Sequence, residues 1–209
     1  QAEGLLNYLA FLGWNPATEE EIMNLDRLIQ QFDLDNVQKK GAIFDEKKLN
    51  WISGQHLSMQ TAQYIRENIK KINPKWGKSD DEYNLSVINL FKDRSTSLVQ
   101  LMESSSYFFE DIVRYDLNIK EKFWKNDTID IVESYKTSII KIDNWNSNKI
   151  EKVTKNYMGE YDIGFGKLMK PVRFILCGAI NGPPLFDIIE LLGKEIFIRR
   201  IENAFKEFN

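Results

Sequence analysis

The stretch KLMKPVRFILCG, residues 167–178, has the apolar repeat of a helix, interrupted by Lys170, Pro171 and Arg173. On periodicity alone one helix covers 166–176. A proline in a helix interior removes a backbone bond and crowds the preceding turn, at about 3 kcal/mol or more. In the first turn it has no donor to lose. The reading preferred on these grounds is an approach turn over 166–170 and a helix over 171–177 that starts at Pro171. Lys170 and Arg173 then lie at the positive end of that helix, where amides and side-chain cations jointly favour anions.

The same spacing of three and four recurs along the chain, and no alternating stretch reaches strand length, so the expected fold is all-α. A first helix over 3–12 is expected to turn Leu5, Leu6, Leu9 and Phe11 toward a core and to stop at Gly13. Asn24 caps LDRLIQQF, and Asp45 is the N-cap candidate of a helix that faces the core with Leu49 and Trp51. Ser58 is expected to cap a helix reaching Ile72, and NPKWGKSDDE, residues 73–82, reads as a linker. Further helices are expected over 80–92, 96–111, 127–142, 147–159, 184–192 and 194–208, with the polar segment VRYDLNIKEKFWKNDT as a break.

An apolar share of 43% beside 28% charged residues fits a globular protein, and no apolar run approaches the roughly 20 residues that span a bilayer. No membrane role is expected. The net charge of −3 argues against a uniformly basic nucleic-acid binder. A local basic face remains open, because residues 147–209 hold ten Lys/Arg against eight Asp/Glu, whereas residues 1–146 hold eighteen against twenty-three. The single cysteine, Cys177, allows no internal disulfide and points to a reducing, cytoplasmic address. A start at Gln1, with no Met or leader, reads as a piece of a longer polypeptide.

Catalytic patterns are missing. The chain has no Gly-rich phosphate loop and no nucleophile elbow, and with one His and one Cys it has no metal-ligand spacing. No catalytic residue and no metal ligand is therefore assigned. Asp80, Asp81 and Glu82 are helix punctuation, complementing a helix dipole. The aromatics Phe108, Phe109, Trp124 and Trp145 fit helix faces and are read as core.

Three separated motifs in order, GLLNYLAFLGW (4–14), FDEKKLNWISGQ (44–55) and GPPLFDIIELLGKE (182–195), resemble the C-terminal half of bacterial-type, class I glutamyl-tRNA synthetases. The resemblance runs from Gly4 to Phe208. It implies an ATP- and Mg-dependent ligase as parent, joining glutamate to its tRNA. This chain would be the tRNA-binding portion, with no cofactor of its own and with the N-terminal catalytic domain as a partner in cis. It further implies a stem-contact sub-domain over 1–73, then two helical sub-domains over 74–146 and 147–209 that form an anticodon-binding helical cage.

Residue by residue, the resemblance places Arg94 at the third anticodon base. An Arg fork there makes two directed bonds where Lys makes a point contact. Lys155 and Arg173 match positions near the first two bases, although arginine is commoner at the first. Pro183, Pro184 and Leu185 fall where the family apposes backbone and an apolar side chain to those bases. Proline there is equally ordinary capping chemistry. Lys92 and Lys170 extend the basic rim, and Ser53 departs from the Asn that many relatives carry in the stem-contact part. The alternative from another class is a helical protein–protein adaptor that presents an apolar groove and binds no tRNA. A stand-alone thiol enzyme built on Cys177 is a distant third.

Overall fold

Helix starts in this chain follow local capping. The side chains of Asn24, Asp45, Thr61, Asp80, Ser97, Asp116 and Asn146 each accept an amide of the first helical turn that would otherwise lack a partner. The computed structural model describes residues 2–16, 18–39, 41–78 and 80–208. Among these are twelve α-helices, three 3-10 turns and one isolated bridge, between Trp14 and Val37. The fold is all-α, as expected. Two compact units divide at Ser105, inside the middle segment of the three-part organisation described above.

The first unit holds α1 (Ala2–Gly13), α2 (Leu25–Gln31), α3 (Glu46–Ser58), α4 (Ala62–Ile72), α5 (Asp81–Phe91), a 3-10 turn at Lys92–Arg94, and α6 (Leu98–Ser104). The face of α1 is not the expected one: Leu5, Leu6 and Leu9 are exposed, and Gly4, Asn7 and Tyr8 are buried where α1 packs on α3. A Cβ on Gly4 would lie 2.9 Å from Ser53 Cα, so glycine is what allows this approach. Asn7 tolerates burial because its Oδ1 accepts the Met23 amide and meets His56 Nε2, each at 2.9 Å. Burial in this network lowers the His56 pKa. Of the expected face only Phe11 is retained, half-buried against the Trp14–Met23–Leu28 cluster.

Similar corrections apply farther along this unit. On α3 the buried face is Ile52, Ser53, His56 and Leu57, while Trp51 is exposed. Ser58 ends α3, and Thr61 rather than Ser58 caps α4. The supposed linker after α4 is a packed turn. Trp76 is buried, Gly77 has φ +94°, and Asn84 of α5 bonds both the amide and the carbonyl of Lys78 at 2.8 and 2.7 Å.

The second unit holds a 3-10 turn at Ser106–Phe108, α7 (Leu117–Phe123), α8 (Thr128–Ile139), α9 (Ser147–Glu160), α10 (Phe165–Cys177), α11 (Leu185–Leu192) and α12 (Lys194–Phe208). Helix α7 lies inside the segment expected as a break. Its start depends on Asp116, which accepts the amides of Asn118 and Ile119, and a seven-residue polar helix gives periodicity little to register. The helix expected over 96–111 stops at Ser104, where Ser105 Oγ bonds the Leu101 carbonyl.

Helix α10 is continuous from Phe165 to Cys177, with Pro171 in its interior. The expected start at Pro171 is therefore incorrect, and the uninterrupted periodic reading holds. Burial of Leu168, Met169, Val172, Phe174, Ile175 and Leu176 on α8 and α12 outweighs the single backbone bond that Pro171 removes. Pro171→Ala restores the amide but shrinks a buried ring. It is expected to stabilise the chain by about 1–2 kcal/mol, a proline cost of about 3 less the lost burial. Urea unfolding checks this; a variant less stable than the parent contradicts it.

Candidate nucleic-acid interface

Arg173 sits on the third turn of α10, one turn from buried Met169 on one side and buried Leu176 and Cys177 on the other, and is itself half-buried. After α10 the chain turns at Gly178, in the left-handed conformation, and reaches Gly182 with φ +151°. A Cβ on Gly182 would lie 3.3 Å from a guanidinium nitrogen of Arg173, and the φ of +151° favours glycine at this position. That nitrogen, Nη1, is buried and has no hydrogen-bond partner. Pro183 follows, buried, then Pro184, exposed at the N-cap of α11, then Leu185, 6% exposed. The structure thus brings Arg173 together with the 182–185 turn. A guanidinium with an unused donor beside a rigid proline turn suits a ligand acceptor.

The floor under Arg173 is a buried polar knot. Cys177 lies close to Tyr107, and burial pushes the thiol up to about 11. A buried thiol with a raised pKa is a weak nucleophile at neutral pH, which disfavours the thiol-enzyme reading. Arg200, 5% exposed, donates to the carbonyls of Leu176, Tyr107 and Glu110. It ties the last turn of α10 to the 3-10 turn at Ser106–Phe108 and to Glu110 just after it.

Lys155 lies on a different helix, α9, exposed, with its ammonium 2.6 Å from Glu151. Lys170 precedes Arg173 by three residues and places its ammonium 5.1 Å from the Phe123 ring of α7. Lys92 and Arg94 belong to the first unit. Lys92 Nζ donates to the carbonyls of Ser58 and Gln60, each at 3.1 Å, and so satisfies the end of α3. Arg94 is exposed and closes a 3-10 turn four residues before α6. Its turn is held from below: Ser95 is buried on the Phe91 carbonyl, Thr96 bonds Gln100, and Gly54 of α3 lies against Ser95 and Thr96.

Residues 57–205 match the sequence model of the anticodon binding domain. The chain belongs to the anticodon-binding domain family. Residues 1–51 match part of the class I (E and Q) tRNA synthetase catalytic-domain model, so this anticodon-binding chain opens on a segment similar to that domain. Similar curated proteins include the glutamate–tRNA ligases of Flavobacterium psychrophilum, 37% identical, and Christiangramia forsetii, 33% identical. Each alignment covers 97% of this chain and 40% of the relative. The crystal structure of a glutamate tRNA ligase from Elizabethkingia meningosepticum superposes with a TM-score of 0.87 at 31% identity, over 98% of this chain and 41% of that one. The anticodon-binding chain therefore spans about two fifths of the relatives it matches.

Sequence reasoning missed Gly182 as a contact of Arg173, Arg200 as a buried tie, and α7 with Phe123. Gly182 had a signal, a glycine directly before two prolines. The pair Arg199–Arg200 gave none, since one is exposed on Asp111 and the other buried, and only packing separates them.

Proposed function

We propose that this chain binds the tRNA for glutamate as part of an ATP-dependent glutamate–tRNA ligase. Residues 1–73 contact the stem, and 74–146 and 147–209 hold the anticodon loop. Arg94 reads the third anticodon base. Lys155, Arg173 and the Pro183–Pro184–Leu185 turn meet the first two, with Lys92 and Lys170 on the basic rim. Lys92 contributes by fixing the turn that presents Arg94. The observation that carries this reading is the half-exposed Arg173 guanidinium, whose Nη1 has no protein partner, set beside Gly182 and the Pro183–Pro184 turn. In support, the exposed Arg94 stands on a turn braced by α3. Nothing in the comparisons favours the adaptor.

The parent ligase uses ATP and Mg on its catalytic domain, a partner in cis. Exposed Leu5, Leu9, Ile29 and Phe44 lie within the stretch that matches part of that domain. Among the described residues no group of three or more His, Cys, Asp or Glu could hold a metal ion. No catalytic step is assigned to this chain. Its place is the cytoplasm, and no helix among the described residues is long and apolar enough to cross a membrane.

Arg173→Ala is expected to weaken binding of an RNA hairpin carrying the glutamate anticodon by about 1–3 kcal/mol, with unchanged helical circular dichroism. Unchanged affinity in a folded variant contradicts the reading.

A further inference from the structure

Helix α10 carries three cations, Lys167, Lys170 and Arg173, and no carboxylate. Lys167 is neutralised by Asp127 at 2.5 Å. Lys170 is not paired with a carboxylate among the described residues, and neither is Lys122 of α7. Yet the fold brings both ammonium groups to one ring: Lys170 Nζ lies 5.1 Å and Lys122 Nζ 5.5 Å from the centroid of Phe123. Attraction to the ring face holds each lysine in place without cancelling its charge. Two uncompensated cations held at one ring make the surface around Phe123 locally positive, which favours an anionic ligand there.

We propose that Lys122 and Lys170, positioned by Phe123, form a phosphate-binding site for the RNA strand that leads to Arg173. The inference rests on the tRNA reading above and extends it to a helix that the sequence pattern did not reveal. Lys170 and Arg173 are one helical turn apart on α10, so strand and base contacts share one track. Asp127 is engaged by Lys167 and Asp116 caps α7, and exposed Glu121 forms no ion pair with either lysine among the described residues. Phe123 is half-buried and already bears two lysines, so it orients cations rather than stacking a base.

The test is the salt dependence of binding of the 209-residue chain to the glutamate anticodon hairpin, between about 50 and 200 mM salt. Removing one lysine–phosphate pair makes the slope of log K against log salt shallower by about 0.7–0.9. Lys122→Gln with Lys170→Gln is expected to flatten the slope by about 1.5 while preserving the anticodon preference. Arginine at both positions is expected to restore the slope. A double Gln variant with the parental slope overturns the site while leaving the tRNA reading intact, provided Arg173→Ala still weakens binding. A parent chain that does not bind the hairpin overturns both.

Discussion

Arg94→Gln is expected to lose about 1–3 kcal/mol of discrimination against a hairpin with a changed third anticodon base, because Gln cannot form the bidentate bonds of a guanidinium. The geometry predicts a clean separation of recognition from stability. Arg94 is exposed, and its turn is held by Ser95, Thr96, Gln100 and Lys92, so no packing disappears with the guanidinium. Competition titration with the two hairpins reads the effect, and unfolding should be unchanged within about 0.5 kcal/mol. If the variant kept the parent's preference, Arg94 would be an ordinary solvated arginine.

Arg200→Met is expected to have the largest effect on stability, a loss of about 3 kcal/mol or more. It removes charge-assisted bonds worth about 1.5–3 kcal/mol each and leaves the carbonyls of Leu176, Tyr107 and Glu110 without that donor. Methionine retains much of the side-chain volume, so the loss reports the bonds more than a cavity. Because the same bonds tie down the end of α10, RNA affinity should fall together with stability. Urea unfolding is the measurement; a change under about 1 kcal/mol would mean that water replaces the guanidinium at those carbonyls.

The legible parts of this chain were those where an apolar stripe or a cap decides the structure alone. Helices α9, α11 and α12 lie within one or two residues of where periodicity put them, and Asn24 and Asp45 cap as read. The failures share a cause. Face assignments on α1 and α3 assumed that leucine and tryptophan mark the inside, but that interface is built from Gly4, Ser53, Asn7 and His56. Their burial depends on close approach and mutual hydrogen bonds, which a one-dimensional pattern does not encode. Pro171 failed in the opposite direction: a local rule was given more weight than an apolar face whose burial outweighs it. At the site, the motif GPPLFDIIELLGKE located the turn, but only the fold sets Gly182 against Arg173 and Phe123 between two lysines.

The central claim, RNA recognition through the anticodon, is tested most directly by titrating the parent chain with the glutamate anticodon hairpin and with the same hairpin carrying a changed third base, each at two salt concentrations. The account predicts tighter binding of the glutamate hairpin by about 1–3 kcal/mol and an affinity that falls steeply with salt. Equal affinity for both hairpins, or binding indifferent to salt, would contradict it.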